Sequence, residues 1–232
     1  MPGTVLITGA NRGIGLQLAE YYVADSWQVI STSRNTKSSD SLQRLANNHS
    51  GRLEIAELDV TNSVSITRLV KSLNDRPIDL LINNAGTFQS KHLGFEDIDP
   101  DTWLAEAHVN TVGPFMVTRA LLGNLCAARS STVAMLSSQM GSISGNRSGG
   151  LYSYRSSKAG LNAVIKSLHY ELVNRGIIVV ALHPGWVRTD MGGLDAPVAI
   201  DSSARGLKTV LDTLEPSASG QFFDYQGKPI PW

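Results

Sequence analysis

Val5-Leu-Ile-Thr-Gly-Ala-Asn-Arg-Gly-Ile-Gly-Leu-Gln-Leu-Ala19 begins as a β-branched apolar run and ends with apolar residues at helical spacing. Three glycines, Gly9, Gly13 and Gly15, punctuate the turn between them. Glycine at 9 permits a tight turn, at 13 a close backbone approach to phosphate, and at 15 a close helix–strand contact. The helix that opens there presents unpaired N–H groups and the positive end of its dipole. A strand, a glycine turn and a helix in that order therefore form a pyrophosphate site.

Working outward, short apolar runs recur at 28–32, 53–56, 79–82, 132–136, 177–182 and 221–224. Several lack polar alternation, as strands covered on both faces do. Helix-compatible stretches separate them at 14–25, 40–47, 63–73, 100–128, 154–175 and 202–214. Thr61-Asn-Ser63 and Asp99-Pro100 are helix-start signals. Alternating strands and helices predict an α/β fold with a parallel sheet and right-handed crossovers, one domain over 1–232. The loosest segments, 141–151 and 192–199, both follow strands, where open α/β sheets hold ligands.

Composition narrows the function classes. Twenty basic and 20 acidic residues balance, leaving no global field for nucleic acid. The 42% hydrophobic and 17% charged content disfavours disorder. No apolar run reaches the length of a membrane span, and the start carries no secretory pattern, so a cytoplasmic location is expected. Cys126 is the only cysteine and the five histidines are scattered, so no internal disulfide or metal site is expected.

The spacing Gly-x-x-x-Gly-x-Gly, Asn83-Asn-Ala-Gly86 after the fourth strand, Tyr154-Arg-Ser-Ser-Lys158 and Pro184-Gly-Trp-Val-Arg-Thr189 together resemble the short-chain dehydrogenase/reductase family. The resemblance spans essentially the whole chain. It implies a three-layer Rossmann fold, a doubly wound parallel seven-stranded sheet in the order 3-2-1-4-5-6-7 with helices on both faces. The ending 220–232 and the short crossover 191–200 are similar to those of the C-factor and Sniffer-like group of carbonyl reductases.

By resemblance, Gly9, Asn11, Arg12, Gly13, Ile14 and Gly15 surround a dinucleotide pyrophosphate. Asn84, Ala85 and Gly86 lie along the ribose while Asn83 braces the strand, and Pro184, Gly185, Val187 and Thr189 hold the nicotinamide carboxamide. Asp59 matches the position that bonds the adenine amino group, with the Val60 backbone beside it; a helix-start carboxylate is an equally good reading. NAD sites place an acid after the second strand to accept from the ribose 2′-hydroxyl. Here Ser31-Thr-Ser-Arg-Asn35 has none, whereas Arg34 and Arg12 offer the guanidinium groups that suit a 2′-phosphate. NADP is the expected cofactor, NADPH preferred over NADH.

Tyr154 and Lys158, at i and i+4, share one helix face. An ammonium ~5 Å from a phenol is worth about 3 kcal/mol at effective ε ~20, lowering its pKa by roughly two. Tyr154 is thus expected to titrate towards neutrality and to trade a proton with substrate. The family pattern adds Lys158 on the nicotinamide ribose, Ser138 on the substrate oxygen with Ser137 packing, and Asn110 in a proton relay; a mid-helix asparagine is also ordinarily a satisfied polar group. Tyr152 has Ser156 rather than a cation four residues on and reads as a pocket wall. Trp186, Met191, Leu194 and Leu151 could join that wall, with Gly149-Gly150 and Gly192-Gly193 as lid hinges. Leu161, Val164, Ile165, Leu168 and Leu172 repeat at helical spacing. They serve either a family-type dimer interface or their own sheet.

The expected activity is reduction of an aldehyde or ketone to an alcohol by hydride transfer, with a small carbonyl compound as substrate and no nucleic acid or membrane as partner. A homodimer or homotetramer is implied by resemblance. Two other readings stand beside it: a dinucleotide-binding signalling protein with little turnover, and an NAD-dependent alcohol or sugar dehydrogenase.

Overall fold

The short apolar runs become seven strands: β1 (Thr4–Ile7), β2 (Gln28–Ser33), β3 (Leu53–Glu57), β4 (Leu80–Asn83), β5 (Ser131–Leu136), β6 (Ile177–His183) and β7 (Phe222–Asp224). They form one sheet in the order β3-β2-β1-β4-β5-β6-β7, every strand pairing parallel. The computed structural model describes residues 2–37 and 39–232; Met1 and Ser38, which the 1–232 domain reading also spans, lie outside the described residues.

Successive strand residues point to opposite faces, and both faces are covered. Leu6, Leu81, Val133 and Val179 enter one core with Leu161 and Ile165. Val5, Ile7, Ile82, Ala134 and Val180 enter the other with Leu18 and Leu207. The helices are α1 (Gly13–Ala24), α2 (Asp40–Asn48), α3 (Ser63–Leu73), α4 (Pro100–Ala107), α5 (Gly113–Ala120), α6 (Leu122–Ala127), α7 (Tyr152–Leu172) and α8 (Ile200–Asp212). Asn62 caps α3 by accepting from the N–H groups of Val64 and Ser65. Asp99 caps α4, with Pro100 in its first turn.

The helix expected over 100–128 is three helices with a π turn at His108–Val112 between the first two. Pro114 has no N–H to give the carbonyl of Asn110 four residues back, so the ladder slips, and Gly113 instead bonds His108. Strand order reverses between β1 and β4, so the loops after β1, β4, β5 and β6 converge at one end of the sheet. Leu161, Ile165, Leu168 and Leu172 on α7 belong to the core beneath it, which places that stripe on the chain's own sheet rather than at a dimer face. Among the described residues, no helix is long and apolar enough to cross a membrane.

Candidate active site

The turn after β1 depends on its glycines. Gly9 has φ +65°, and a Cβ there would lie 3.0 Å from the Ala85 Cα; at Gly15 it would lie 2.5 Å from the Asn84 Nδ2. Gly13, φ +57°, faces the Thr189 methyl across the cleft. The Asn84 amide donates to the carbonyls of Thr8 at 2.9 Å and Gly9 at 3.0 Å. Thr8 Oγ1 in turn accepts from the N–H groups of Asn84 and Ala85. Asn84, expected along the ribose, therefore braces the turn with its amide, while Asn83, expected to brace the strand, donates to Thr118 at 3.1 Å. No side chain caps α1 and no acid sits in its first turn. An uncapped helix end above a cradle that only glycine permits fits a pyrophosphate.

Arg34 is exposed just past β2 and close enough to Asp59 to act on its charge. Hydrogen bonding from Thr61 holds the Asp59 carboxyl below its ordinary value, and the nearby Arg34 and His108 add to this. Asp59 Oδ1 accepts from the Thr61 hydroxyl at 2.7 Å and its N–H at 2.9 Å, a turn that precedes α3 without capping it. Val60 packs under Gly113. The guanidinium of Arg12 pairs with Asp190, so the glycine turn and the segment after β6 are tied across the cleft.

That segment is shaped by Gly185, φ +87°, where a Cβ would come within 3.0 Å of the Tyr225 ring. The Pro184 carbonyl accepts from Ser203 at 2.6 Å. Val187 is buried, and Thr189 Oγ1 accepts from Gly192 at 3.1 Å. Trp186, Met191 and Leu194 are exposed rather than forming a closed wall. Tyr152 does line a groove, of about 350 Å³, with Trp103, Met140 and Ile143. Its neighbours there, Ser156 and Ala159, share with it a side of α7 other than the one that carries Lys158.

Tyr154 and Lys158 stand in the first turns of α7, 8% and 5% exposed. Ser138, just past the end of β5, is buried too and lies near enough to the Tyr154 hydroxyl to act on its proton. Lys158 donates to the Leu136 carbonyl at 2.7 Å and lies 5.9 Å from the centroid of the Tyr154 ring. A Cβ on Gly86 would sit 3.3 Å from Asn110 Oδ1 and 3.7 Å from Lys158 Nζ. Asn110, fully buried in the π turn, bonds the N–H and carbonyl of Thr87 at 2.8 and 2.9 Å and Ser157 at 3.0 Å. Its amide is satisfied within the protein. Ser137 donates to Asn162 at 2.6 Å and packs, as expected.

The expected acidification of Tyr154 is reversed. Burial pushes the phenol up to about 12, opposed by the nearby Ser138 hydroxyl and reinforced by the Glu106 carboxylate. Burial also pushes the Lys158 ammonium down to about 8, against the pull of Glu106. The sequence gives the spacing of the pair but not the loss of solvent around it, and here desolvation outweighs attraction. Tyr154 is therefore a neutral phenol at physiological pH, the form that can give a proton.

Three residues at the site carry no motif. Phe88 stacks on Tyr154, Asn162 ties Ser137 to the Gly141 carbonyl, and Glu106 is a fully buried acid. An aromatic in a loop and a glutamate in a helix read as ordinary surface, so only long-range packing reveals them.

The model of the short chain dehydrogenase family matches residues 3–196. Among curated proteins, the chain is 44% identical over 156 residues to C-signal of Myxococcus xanthus, covering 67% of this chain and 93% of that protein. Among solved structures, the carbonyl reductase Sniffer of D. melanogaster superposes with TM-score 0.94 and 35% identity over 100% of both chains. An NADPH-bound carbonyl reductase from chicken fatty liver gives TM-score 0.92 and 35% identity over 99% of this chain and 98% of that one. The strand order agrees with these matches, and the family model covers most of the chain: the chain belongs to the short-chain dehydrogenase/reductase family.

Proposed function

We propose that the chain is an NADPH-dependent carbonyl reductase, acting on the CH–OH/carbonyl couple of a small aldehyde or ketone. The observation that carries this reading is the burial of Ser138, Tyr154 and Lys158 together, across the cleft from an uncapped glycine-cradled helix end. NADP is the cofactor; a positive Arg34 in place of an acid after β2, with Arg12 in the turn, supports the phosphorylated form. Gly9, Asn11, Gly13, Ile14 and Gly15 would hold its pyrophosphate, Asp59 and Val60 its adenine end, and Ala85, Gly86, Pro184, Gly185, Val187 and Thr189 its nicotinamide half.

When bound, NADPH supplies the hydride that reaches the carbonyl carbon. Ser138 and Tyr154 hold the carbonyl oxygen by hydrogen bonds that strengthen as negative charge develops on it. Tyr154 then gives its proton to that oxygen. A phenol near 12 remains far more acidic than an ordinary alcohol, so the transfer is downhill. Lys158 steadies the phenolate that remains and, with Asn110, returns a proton from solvent.

The likeness to C-signal supports a second reading, a dinucleotide-binding signalling protein with little turnover. Loss of reduced-nicotinamide absorbance with NADPH and a panel of aldehydes, ketones and quinones separates the two. Turnover supports the reductase, and tight NADPH binding without turnover supports the signalling protein. Leu104 on α4, Val112 in the π turn and Tyr170 on α7 are exposed apolar or aromatic side chains that support a homodimer or homotetramer, which sedimentation tests.

A further inference from the structure

Glu106 is the one acidic side chain among the described residues with no exposed surface. Burying a carboxylate is costly unless donors replace its water, and here they do. Oε1 accepts from the N–H of Ser90 at 2.8 Å and from its hydroxyl at 3.1 Å. Oε2 accepts from the Ser90 hydroxyl at 3.0 Å and the Ser153 hydroxyl at 2.7 Å. Among the described residues no cation forms an ion pair with it.

The two anchored serines belong to the two segments that meet at the phenol. Ser153 immediately precedes Tyr154 on α7, and Ser90 lies two residues beyond Phe88, whose ring stacks on Tyr154 with centroids 4.1 Å apart. The segment that carries Phe88 and the helix turn that carries Tyr154 are thus tied to one carboxylate on α4. A carboxylate in that place also leaves a mark that a neutral amide would not, because its charge acts on the proton equilibria nearby.

Resting on the reductase reading above, we propose that Glu106 is a positioning residue for the reaction: through Ser90 and Ser153 its buried carboxylate holds the Phe88 segment and the first turn of α7 in place around the Tyr154 phenol. Glu106 is the charged group that acts on both Tyr154 and Lys158. Other titratable groups on the packed elements face elsewhere. Asp101, His92 and His108 are exposed, Lys91 lies toward Gly193, and Arg155 bonds the carbonyls of Gly149 and Gly150. The β5 end contributes Ser138 and the Leu136 carbonyl, neither of them charged.

Glu106→Gln keeps the length of the side chain and removes its charge. Two readouts are expected to move by about one pH unit to lower pH. One is the alkaline limb of the kcat profile. The other is the titration of the Lys158 amine, read by nitrogen NMR of labelled lysines on protein without dinucleotide and assigned with Lys158→Met. Ser153→Ala keeps the charge and cuts one tether. It is expected to lower kcat about tenfold with the profile in place and NADPH affinity unchanged.

An amine titration and a pH profile unmoved by Glu106→Gln would mean that no carboxylate is held beside the phenol and overturn the proposal, and wild-type kcat in Ser153→Ala overturns the anchoring. If Glu106→Gln does not fold, Ser153→Ala still decides the anchoring. The amine titration requires no turnover. A displaced titration in a chain that reduces no carbonyl therefore supports a carboxylate held beside the phenol while refuting the reductase reading alone.

Discussion

Phe88 lies nearly flat against Tyr154, with ring centroids 4.1 Å apart and 25° between the planes. The stack joins the segment after β4 to the first turn of α7 and limits the angles the phenol can take. Such pairs are worth about 0.5–1.5 kcal/mol beyond their burial. Phe88→Ala is therefore expected to lower kcat about two- to tenfold while NADPH affinity stays as it is. Steady-state kinetics and a fluorescence titration of the cofactor check this; equal losses in both would place Phe88 in cofactor binding instead.

Lys158 makes stability depend on pH. Its ammonium titrates at about 8 in the fold against an ordinary value of 10.5. Below 8 the lysine is charged in both folded and unfolded chains, and the full burial penalty applies. Between 8 and 10.5 the folded protein sheds the proton first, so stability rises with pH. Above 10.5 both states are neutral and the penalty is gone. Wild type should gain about 3 kcal/mol relative to Lys158→Met across this window. The comparison cancels the opposite effect of Tyr154, which both proteins share. Urea melts at pH 7 and at pH 10 supply the measurement, and parallel stabilities would show that the amine is not desolvated.

Arg34 and Asp190 are expected to move cofactor affinity in opposite directions. Arg34→Asp removes a charged donor and adds repulsion, which should weaken NADP binding at least tenfold and favour NAD. Asp190→Asn frees the Arg12 guanidinium from its exposed ion pair. Such pairs contribute about 0–1 kcal/mol, so NADPH affinity should rise by up to about fivefold. Calorimetric titrations with both dinucleotides read each change. An Arg34→Asp variant that keeps its NADP affinity would return the NAD-dependent reading.

Gly9→Ala tests the cradle. Its φ of +65° and the 3.0 Å approach to the Ala85 backbone make any side chain both strained and crowded. A loss of about 2 kcal/mol or more in stability is expected, with NADPH binding lost alongside it. Thermal melts with and without the dinucleotide decide.

The sheet was legible because each strand carries its own signal and each motif sits at a strand end. Thr8 to Gly15 reads as strand, turn and helix whatever surrounds it. The break in the 100–128 helix was less legible: Gly113-Pro114 is visible, but its slip into a π turn reflects a lost bond to Asn110 that periodicity does not register. Tyr154, Lys158 and Ser138 could be named from their spacing and order. Their acidity could not, because it depends on how completely the loop around Phe88 and the end of β5 exclude water. Glu106 was hidden for the same reason, since only the fold brings Ser90 and Ser153 to its carboxylate.

The proton that Tyr154 hands to the substrate oxygen is the centre of this account, and Tyr154→Phe tests it most directly. Kinetics with NADPH and a reducible carbonyl, paired with a cofactor titration, should show kcat reduced by about a hundredfold or more with NADPH affinity unchanged. Turnover within about tenfold of wild type, with the cofactor still bound, would mean that another group delivers the proton.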